Sequence, residues 1–326
     1  MMYERSRASE DAARRRLAAA RRGTAVAIAL LLLGAALATA GCGVGEGADV
    51  GEVSLTVTRD FGAERVAPPL RESVSEADTV MRVLDRSFEI ETAYGGRFVQ
   101  SIDGLAGGQE GGRPYDWFFY VNGLWSPFGA AEYPLRGGEE IWWDYRDWSA
   151  STRVSALVGS WPQPFADGYE GERHPTAVEC RGGGAACAVV RRRLRAAGAS
   201  LAGSGAEDAI RVLVGPWARL RGDATAATVE AGPQTSGIYA ELAPAGTGFA
   251  LRALDEDGDR ARDLGPDAGL VAATRRFEAP PVWLVTGASA AGVRAAAGLL
   301  DAAGLRDRYA VAVEGGEEIP LPLEGR

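Results

Sequence analysis

The chain has 326 residues and a net charge of −9. All 35 of its basic residues are arginines, and it contains no lysine. An acidic protein of this kind is not attracted by charge to nucleic acid or to anionic lipid, which argues against both as partners. The single histidine, His174, leaves little material for histidine-dependent catalysis or metal binding.

The N-terminus has the pattern of an export signal. Five arginines between Arg14 and Arg22 precede an uninterrupted run of apolar and small residues over 24–40, which ends at Gly41 and Cys42. A basic segment, an apolar segment and a small-residue cleavage site define a secretory signal. The cysteine resembles that of the bacterial lipoprotein lipobox, which is lipidated and becomes the mature N-terminus. We predict a signal peptide over 1–41, lipidation of Cys42 and a place on the extracytoplasmic face of the cell membrane; an uncut anchor and plain secretion are the alternatives.

The first predicted domain spans 53–150 and follows a flexible tether over 42–52. Alternating apolar and polar residues over 52–59 predict a strand. Val80, Val83 and Leu84 fall on one face of a helix predicted over 79–86 behind a capping signal. Two short strands bounded by glycine are predicted over 88–92 and 98–102. The order is therefore a strand, a helix and then several antiparallel strands.

The densest feature of the chain is aromatic. Twelve of its 26 aromatic residues lie between Tyr115 and Trp148, mostly in two segments, 115–123 and 137–145, that we predict as strands. Side chains alternate between the two faces of a strand. One face would carry the core residues Trp117, Phe119 and Val121 on the first strand and Ile141, Trp143 and Tyr145 on the second.

The opposite face of these strands is the predicted ligand site. It would carry Phe118, Tyr120 and Trp142, and the loop over 124–133 between the strands adds Trp125 and Phe128. A sheet face exposed to water would ordinarily carry polar residues here. Two alternatives stay open: the rest of the protein covers these rings, or they contact a ligand or a partner.

Three segments of this region resemble a known family. Gly95-Gly96-Arg97-Phe98-Val99-Gln100-Ser101-Ile102-Asp103-Gly104, the segment Trp117–Gly123 and the segment Ala131–Tyr145 are similar to the transcobalamin C-terminal-like domain, also called DUF4430. The resemblance covers about 75 residues, roughly 75–148. It implies a β-grasp-like fold, in which a mixed sheet wraps one helix, and a role in ligand binding. In the animal vitamin B12 carriers this domain closes over a corrinoid together with a helical domain that this chain lacks.

The second predicted domain spans 151–326 and alternates strands with helices. Strands are predicted over 176–180, 210–214, 282–286 and 309–313, and helices over 186–197 and 290–303. A strand ending in Gly-x-Trp occurs over 154–161 and again over 210–217, which suggests an internal duplication. The fold class is therefore α+β: an N-terminal β-grasp-like domain followed by an α/β domain with an internal duplication.

The remaining cysteines predict a disulfide. Cys180 and Cys187 flank a glycine-rich loop in a chain destined for an oxidising compartment. A zinc site would need more ligands than this region offers, so no metal is predicted.

No cofactor is predicted either. A TGAS-like segment over 286–289 lacks the glycines of a dinucleotide turn. Asp144, Asp147, Glu139 and Glu140 lie near the aromatic residues, but no second motif marks them as catalytic, so we do not predict an enzyme.

The sequence as a whole predicts a lipid-anchored extracytoplasmic binding protein. Phe118, Tyr120, Trp125, Phe128 and Trp142 would contact a flat hydrophobic molecule. The resemblance suggests a corrinoid, taken up with the help of an importer. The alternative is a structural or protein-interaction module of the cell envelope without a small-molecule ligand.

Overall fold

A computed structural model of the protein describes residues 47–182 and 184–325. The predicted signal peptide over 1–41, the predicted lipidation site Cys42 and residues 43–46 of the predicted tether lie outside the described residues. The tether was predicted to extend to 52, but residues 49–52 belong to the first strand.

The N-terminal half consists of two sheets and one helix. Its elements are β1 (Asp49–Arg59), β2 (Glu64–Arg65), β3 (Leu70–Ser75), α1 (Val80–Ser87), β4 (Ile90–Ala93), β5 (Phe98–Ile102), β6 (Leu105–Ala106), β7 (Gly108–Glu110), β8 (Arg113–Val121), β9 (Leu124–Trp125) and β10 (Glu140–Asp147). The main sheet has the order β2-β1-β10-β8-β7, with β3 on β1 and β9 on β8. Because β1 is parallel to β10 while β8 is antiparallel to it, this sheet is mixed.

Helix α1 packs on one face of that sheet. The Thr79 side chain caps it by accepting a hydrogen bond from the backbone N–H of Arg82 at 3.3 Å. Val80, Val83 and Leu84 are fully buried and form a core with the strand residues Val53, Leu55, Val57, Trp117, Val121, Ile141, Trp143 and Tyr145. A mixed sheet packed on one helix is therefore present.

The core face of β8 and β10 is the predicted one. In the antiparallel register Trp143 lies opposite Phe119, and Trp142 lies opposite Tyr120. The ring centroids of Phe119 and Trp143 are 5.0 Å apart on the helix side. Trp142 and Tyr120 consequently point to the other side of the sheet, as strand alternation requires.

The C-terminal half is built around a second seven-stranded sheet. Its elements are β11 (Thr176–Cys180), α2 (Gly184–Ala196), β12 (Leu201–Ala202), β13 (Ile210–Val214), α3 (Trp217–Leu220), a 3₁₀ helix (Ala226–Ala231), α4 (Pro233–Ser236), β14 (Ala240–Ala245), β15 (Gly248–Leu254), β16 (Arg260–Asp263), β17 (Gly269–Thr274), β18 (Val282–Gly287), α5 (Ala290–Gly298), α6 (Ala302–Leu305), β19 (Ala310–Glu314) and β20 (Glu317–Leu321). The order in the sheet is β12-β11-β13-β18-β17-β19-β20. Strands β14, β15 and β16 form a separate small sheet.

Both faces of the second large sheet are covered. Helices α2 and α5 pack on one face through residues such as Val190, Leu194 and Val293. The small sheet and the main sheet of the N-terminal half cover the other face. Every residue of β17 and β18 is buried, which explains why these strands read as continuous apolar runs. The predicted α+β class is confirmed.

One expected strand is absent. The segment Val154–Val158 makes only a single bridge, between Ala156 and Leu124, whereas Ile210–Val214 is strand β13, between β11 and β18 in the large sheet. The backbone N–H groups of Leu157 and Val158 bond to Gly123 and Tyr309, so the segment fastens the two halves together and joins no sheet. The first copy of the predicted duplication therefore does not form a strand, whereas the second copy does. The two strand–helix units expected beside it, β11 with α2 and β18 with α5, are present.

The two halves share a core. Residues Ala48–Arg326 form one compact unit. A single buried cluster contains Phe61, Tyr120 and Trp142 from the N-terminal half and Tyr239 and Tyr309 from the C-terminal half.

Candidate functional site

Two of the five predicted ligand residues lie in the shared core. Tyr120 is 0% exposed and Trp142 is 1% exposed. Their ring centroids lie 5.8 and 5.6 Å from that of Tyr309, in edge-on contacts. The C-terminal half thus covers the sheet face that the sequence offered as a ligand surface. A ligand could reach these two rings only if the halves separated, so for Tyr120 and Trp142 the structure agrees with the covered alternative.

The other three predicted ligand residues are less buried. Phe118 and Trp125 lie on the same sheet face as Tyr120 and Trp142, because Trp125 pairs with Tyr120 across β9 and β8 and both side chains pack against the same cluster. Phe118 is half-buried, and the guanidinium of Arg146 lies 3.9 Å from its ring centroid. Trp125 is half-buried beneath the guanidinium of Arg153, at 4.2 Å. Phe128 is 53% exposed. Four of the five residues therefore share one sheet face. Their ligand role stays a prediction, which is physically open at the half-buried Trp125 and at the exposed Phe128.

A buried carboxylate organises the contact between the halves. Asp144 is fully buried and accepts hydrogen bonds from Thr58 Oγ1 at 2.5 Å, from the Gly62 backbone N–H at 3.1 Å and from the Tyr309 hydroxyl at 2.9 Å. Thr58 Oγ1 in turn accepts the indole N–H of Trp142 at 2.7 Å. Burial raises the pKa of Asp144 to about 6, although these donors and Arg146 oppose the rise. The carboxylate is a structural latch between the two halves.

The latch holds a left-handed turn at the end of β1. Asp60, Phe61 and Gly62 have φ values of 54°, 58° and 83°, a conformation that non-glycine residues rarely adopt. The turn directs Phe61 into the C-terminal half, where its centroid lies 5.1 Å from Tyr239 and 5.2 Å from Tyr309. Sequence reasoning did not identify Phe61. The only signal was a lone aromatic residue before Gly62, directly after an alternating strand.

A buried arginine lies beside the latch. Arg146 is 0% exposed and donates from Nη1 to the backbone oxygens of Asp147 at 3.0 Å and Ser151 at 2.8 Å. Its Nε and Nη2 have no hydrogen-bond partner among the described residues. Contact with the Phe118 ring and the nearby charge of Asp144 offset part of the cost of burying the guanidinium.

The other carboxylates near the aromatic segments also have structural partners. Glu139 accepts bonds from the Tyr133 hydroxyl and the Arg136 backbone N–H, both at 2.9 Å. Asp147 is 1% exposed and pairs with Arg113 at 2.6 Å. Burial raises the pKa of Glu140 to about 8, and Asp307 adds to the rise. Hydrogen bonds and an ion pair thus give Glu139 and Asp147 structural roles.

A groove opens at the junction of the halves, next to the latch. Its volume is about 760 Å³. The turn 60–63 forms one wall, and the segments 306–308 and 320–324, with Ala261 and Arg262, form the rest. Gly62 allows the two walls to meet, because a Cβ atom there would lie 2.1 Å from the Asp307 carbonyl oxygen. We call this feature the junction groove.

The lining of the junction groove is mixed in chemistry. Pro320, Leu321, Pro322 and Leu323 provide an apolar wall. Arg308 is paired with Glu318 at 2.8 Å, and Arg262 is paired with Glu314 at 2.7 Å. The side chain of Arg306 makes no hydrogen bond or ion pair within 47–182 and 184–325, so its charge is available to a ligand.

The disulfide prediction is confirmed. Cys180, the last residue of β11, is bonded to Cys187 near the start of α2, with Cα atoms 5.9 Å apart. His174 stacks on Tyr169 with ring centroids 3.9 Å apart. Within the described part of the chain, no three His, Cys, Asp or Glu side chains are grouped as metal ligands would be. No helix there has the length and apolarity needed to span a membrane.

Residues 77–147 match the family model described as "Domain of unknown function (DUF4430)". The match runs from just before α1 to the end of β10 and lies inside the predicted domain 53–150, so the recognition of this domain from the sequence is confirmed. It covers less than a quarter of the chain, and no curated protein matches.

Several solved structures have similar regions. One is a candidate metal-binding protein from Ruminococcus gnavus, at 14% identity and a TM-score of 0.25, with 30% of this chain and 98% of that chain covered. Another is haptocorrin in complex with Cbi, at 16% identity and a TM-score of 0.24, with 30% of this chain covered. The match spans only 26% of the haptocorrin chain. At such low TM-scores, neither likeness bears on function.

Proposed function

We propose that this protein is a lipid-anchored extracytoplasmic binding protein whose ligand lies in the junction groove. The observation that carries the proposal is the groove itself, about 760 Å³ in volume and lined by both halves of the chain. Ligand sites are commonly concave, mostly apolar, and placed where two substructures meet. The proposed anchor at Cys42 and the envelope location rest on the export signal over 1–41.

The lining indicates the chemistry of the ligand. The wall over 320–323 and the edge of Phe61 suit an apolar surface. The unpaired Arg306 suits an acceptor group such as a carboxylate, a phosphate or an amide oxygen. A molecule with a broad apolar face and polar substituents at its rim would satisfy both.

A corrinoid has this character and is the ligand that the resemblance of residues 77–147 to the vitamin B12 carriers favours. The covered face of β8 and β10 excludes direct stacking on Tyr120 and Trp142 while the halves are in contact. We therefore place the corrinoid in the junction groove. Delivery to an importer in the same membrane would make the protein part of an uptake system.

The test is a titration of the purified protein with cobalamin and with cobinamide, followed by tryptophan fluorescence and checked by equilibrium dialysis. Ala63 is exposed and lines the groove, so Ala63→Trp fills the groove without disturbing the core. The matched control is Ala245→Trp, because Ala245 is exposed and lies at the end of β14.

We expect one-site binding that Ala63→Trp weakens by about tenfold or more, which corresponds to about 1.4 kcal/mol, while Ala245→Trp leaves it unchanged. The absence of binding to both compounds would exclude a corrinoid. Binding that Ala63→Trp does not affect would exclude the junction groove as its site.

A second candidate function is supported by a different surface. Tyr94, Phe98 and Phe128 are exposed by 85%, 36% and 53%, and the first two rings are 6.2 Å apart. The Arg97–Glu132 ion pair, at 3.9 Å, links the hairpin of β4 and β5 to the loop that carries Phe128. Clustered exposed aromatic residues are typical of protein-contact surfaces. The corresponding function is an interaction module of the cell envelope.

Photocrosslinking in the producing cells tests this second candidate. A photoreactive residue at position 128 should give a defined adduct with one envelope protein, and the same residue at Ala245 should not. Identical adducts at both positions would exclude a specific contact at Phe128.

A further inference from the structure

A second groove, on the opposite side of the C-terminal sheet from α2 and α5, has the features of an anion site. Its volume is about 590 Å³. It lies between the segment of Arg153, the 3₁₀ helix with α4, and the turn after β17. The residues that line it include the small side chains Ala227, Ala231, Thr228 and Thr235.

Two free arginines line this groove. Neither Arg153 nor Arg276 makes a side-chain hydrogen bond or an ion pair with any residue that the structure describes. Both are exposed, and both belong to a protein whose net charge is −9. The Arg153 guanidinium lies over the Trp125 ring, 4.2 Å from its centroid. This contact restricts the side chain and leaves N–H donors available for an oxyanion.

A third arginine fixes the positions of the other two. Arg275 is buried, and its guanidinium donates to the carbonyls of Ala279 at 2.7 Å and Glu278 at 3.0 Å and to Glu170 at 2.6 Å. These bonds hold the turn that carries Arg276. The Arg275 backbone N–H also donates to Ser155 Oγ at 2.9 Å, which ties the turn to the segment that carries Arg153. The backbone segments that carry the two free arginines are thus tied to each other before any ligand arrives.

The same turn exposes an aromatic ring. Phe277 is 77% exposed, lines the groove, and has a φ of 52°. An exposed Phe gains nothing from burial, and a left-handed backbone adds strain of about 1–2 kcal/mol at a bulky residue. An apolar group that packed against the ring would bury it, and the free energy gained would offset the backbone strain.

We propose that this groove binds an anion that carries an apolar body, such as an aromatic carboxylate or phosphate monoester. The anionic head lies between Arg153 and Arg276. The apolar body contacts Ala227 and Ala231 and packs against the Phe277 ring. This site is separate from the junction groove and shares no lining residue with it.

Calorimetric titration of the purified protein at constant ionic strength tests the proposal with three probes. Phenyl phosphate carries the head and the body, inorganic phosphate carries the head alone, and phenol carries the body alone. Arg153→Ala, Arg276→Ala and Phe277→Ser change exposed groups, so the fold is retained. Arg294→Ala is the matched control, because Arg294 is exposed and lines neither groove.

We expect phenyl phosphate to bind more tightly than either fragment. Each arginine variant should weaken it by about tenfold, the effect of losing a charge-assisted hydrogen bond. Phe277→Ser should weaken phenyl phosphate but not inorganic phosphate. Neither Arg294→Ala nor the junction-groove variant Ala63→Trp should change the affinity for phenyl phosphate. A negative result at this groove would therefore leave the proposed function of the junction groove untouched.

Three results would overturn the proposal: no measurable binding of phenyl phosphate, equal binding by the arginine variants and the parent, or equal affinity for phenyl phosphate and inorganic phosphate. Phosphatidylglycerol vesicles distinguish the source of the anion. If the protein sediments with these vesicles and the substitutions Arg276→Ala and Phe277→Ser abolish the sedimentation, the anion bound in the groove is a lipid headgroup. Phenyl phosphate binding without vesicle binding would assign it to a soluble molecule.

Discussion

Replacing Asp144 by asparagine should change the way in which stability depends on pH. Burial raises the pKa of this carboxyl to about 6 in the folded protein, against about 3.9 in an unfolded chain. Between these two values the folded state binds the proton more strongly than the unfolded state does. The free energy of unfolding contributed by Asp144 is therefore largest below about pH 4 and falls as the pH rises to about 6.

The size of the effect follows from the shift. About two pKa units at 1.36 kcal/mol each give about 3 kcal/mol over the whole titration, of which about 2 kcal/mol is lost between pH 4 and pH 6. The asparagine side chain of the variant cannot ionise, and its oxygen can still accept from Thr58 and Gly62. The difference in unfolding free energy between the parent and Asp144→Asn should therefore shift by about 2 kcal/mol in favour of the variant as the pH rises from 4 to 7.

Urea unfolding at pH 4, 5, 6 and 7, at constant ionic strength, measures this difference. Subtracting the variant from the parent removes the contributions of other groups, among them Glu256, whose pKa burial raises to about 7. Asp85→Asn, at an exposed position on α1, controls for the loss of one charge. A parent-minus-variant difference that stays constant from pH 4 to pH 7 would refute the idea that a buried carboxylate forms the latch.

Three further substitutions test the contact between the halves and the disulfide. Gly62→Ala should destabilise the protein by about 3 kcal/mol, because the new Cβ atom would clash with the Asp307 carbonyl oxygen and the φ angle of Gly62 is 83°. The control is Gly111→Ala, where φ is 58° and a Cβ atom would have no neighbour within 4 Å. It should show only the backbone cost of about 1 kcal/mol in the same urea assay. Phe61→Ala should cost about 3–5 kcal/mol because the ring is 5% exposed, whereas Phe277→Ala at 77% exposure should change stability by less than about 0.5 kcal/mol; equal effects would contradict the assigned positions. Cys187→Ala should lower the unfolding free energy by about 2–3 kcal/mol through loss of a short loop closure, and the same loss should follow reduction of the parent but not of the variant.

The sequence predicted the core of the N-terminal half because that core depends on local periodicity. Alternation along β8 and β10 placed Trp117, Trp143 and Tyr145 on one face, and burial confirms it. The Cys180–Cys187 disulfide followed from short spacing and an export signal. Neither prediction required knowledge of distant parts of the chain.

The candidate site could not be predicted in the same way. Tyr309 is separated from Tyr120 by 189 positions, yet their hydroxyl oxygens are 3.3 Å apart, and no periodicity reports such a contact. Phe61 enters the shared core through a left-handed turn that its residue type does not favour. The prediction of a strand over 154–158 was wrong for a related reason. The apolar residues of this segment are buried between the halves and do not pair in a sheet.

The most direct test of the account is the exchange rate of the Trp142 indole N–H with solvent, followed by NMR. This proton is donated to Thr58 Oγ1 at 2.7 Å in a fully buried environment. If the aromatic face is the internal contact between the halves, the proton should exchange as slowly as the best-protected backbone amides, and far more slowly than the indole N–H of half-buried Trp125. Exchange of Trp142 as fast as that of Trp125 would show that the face opens to solvent and would contradict the account.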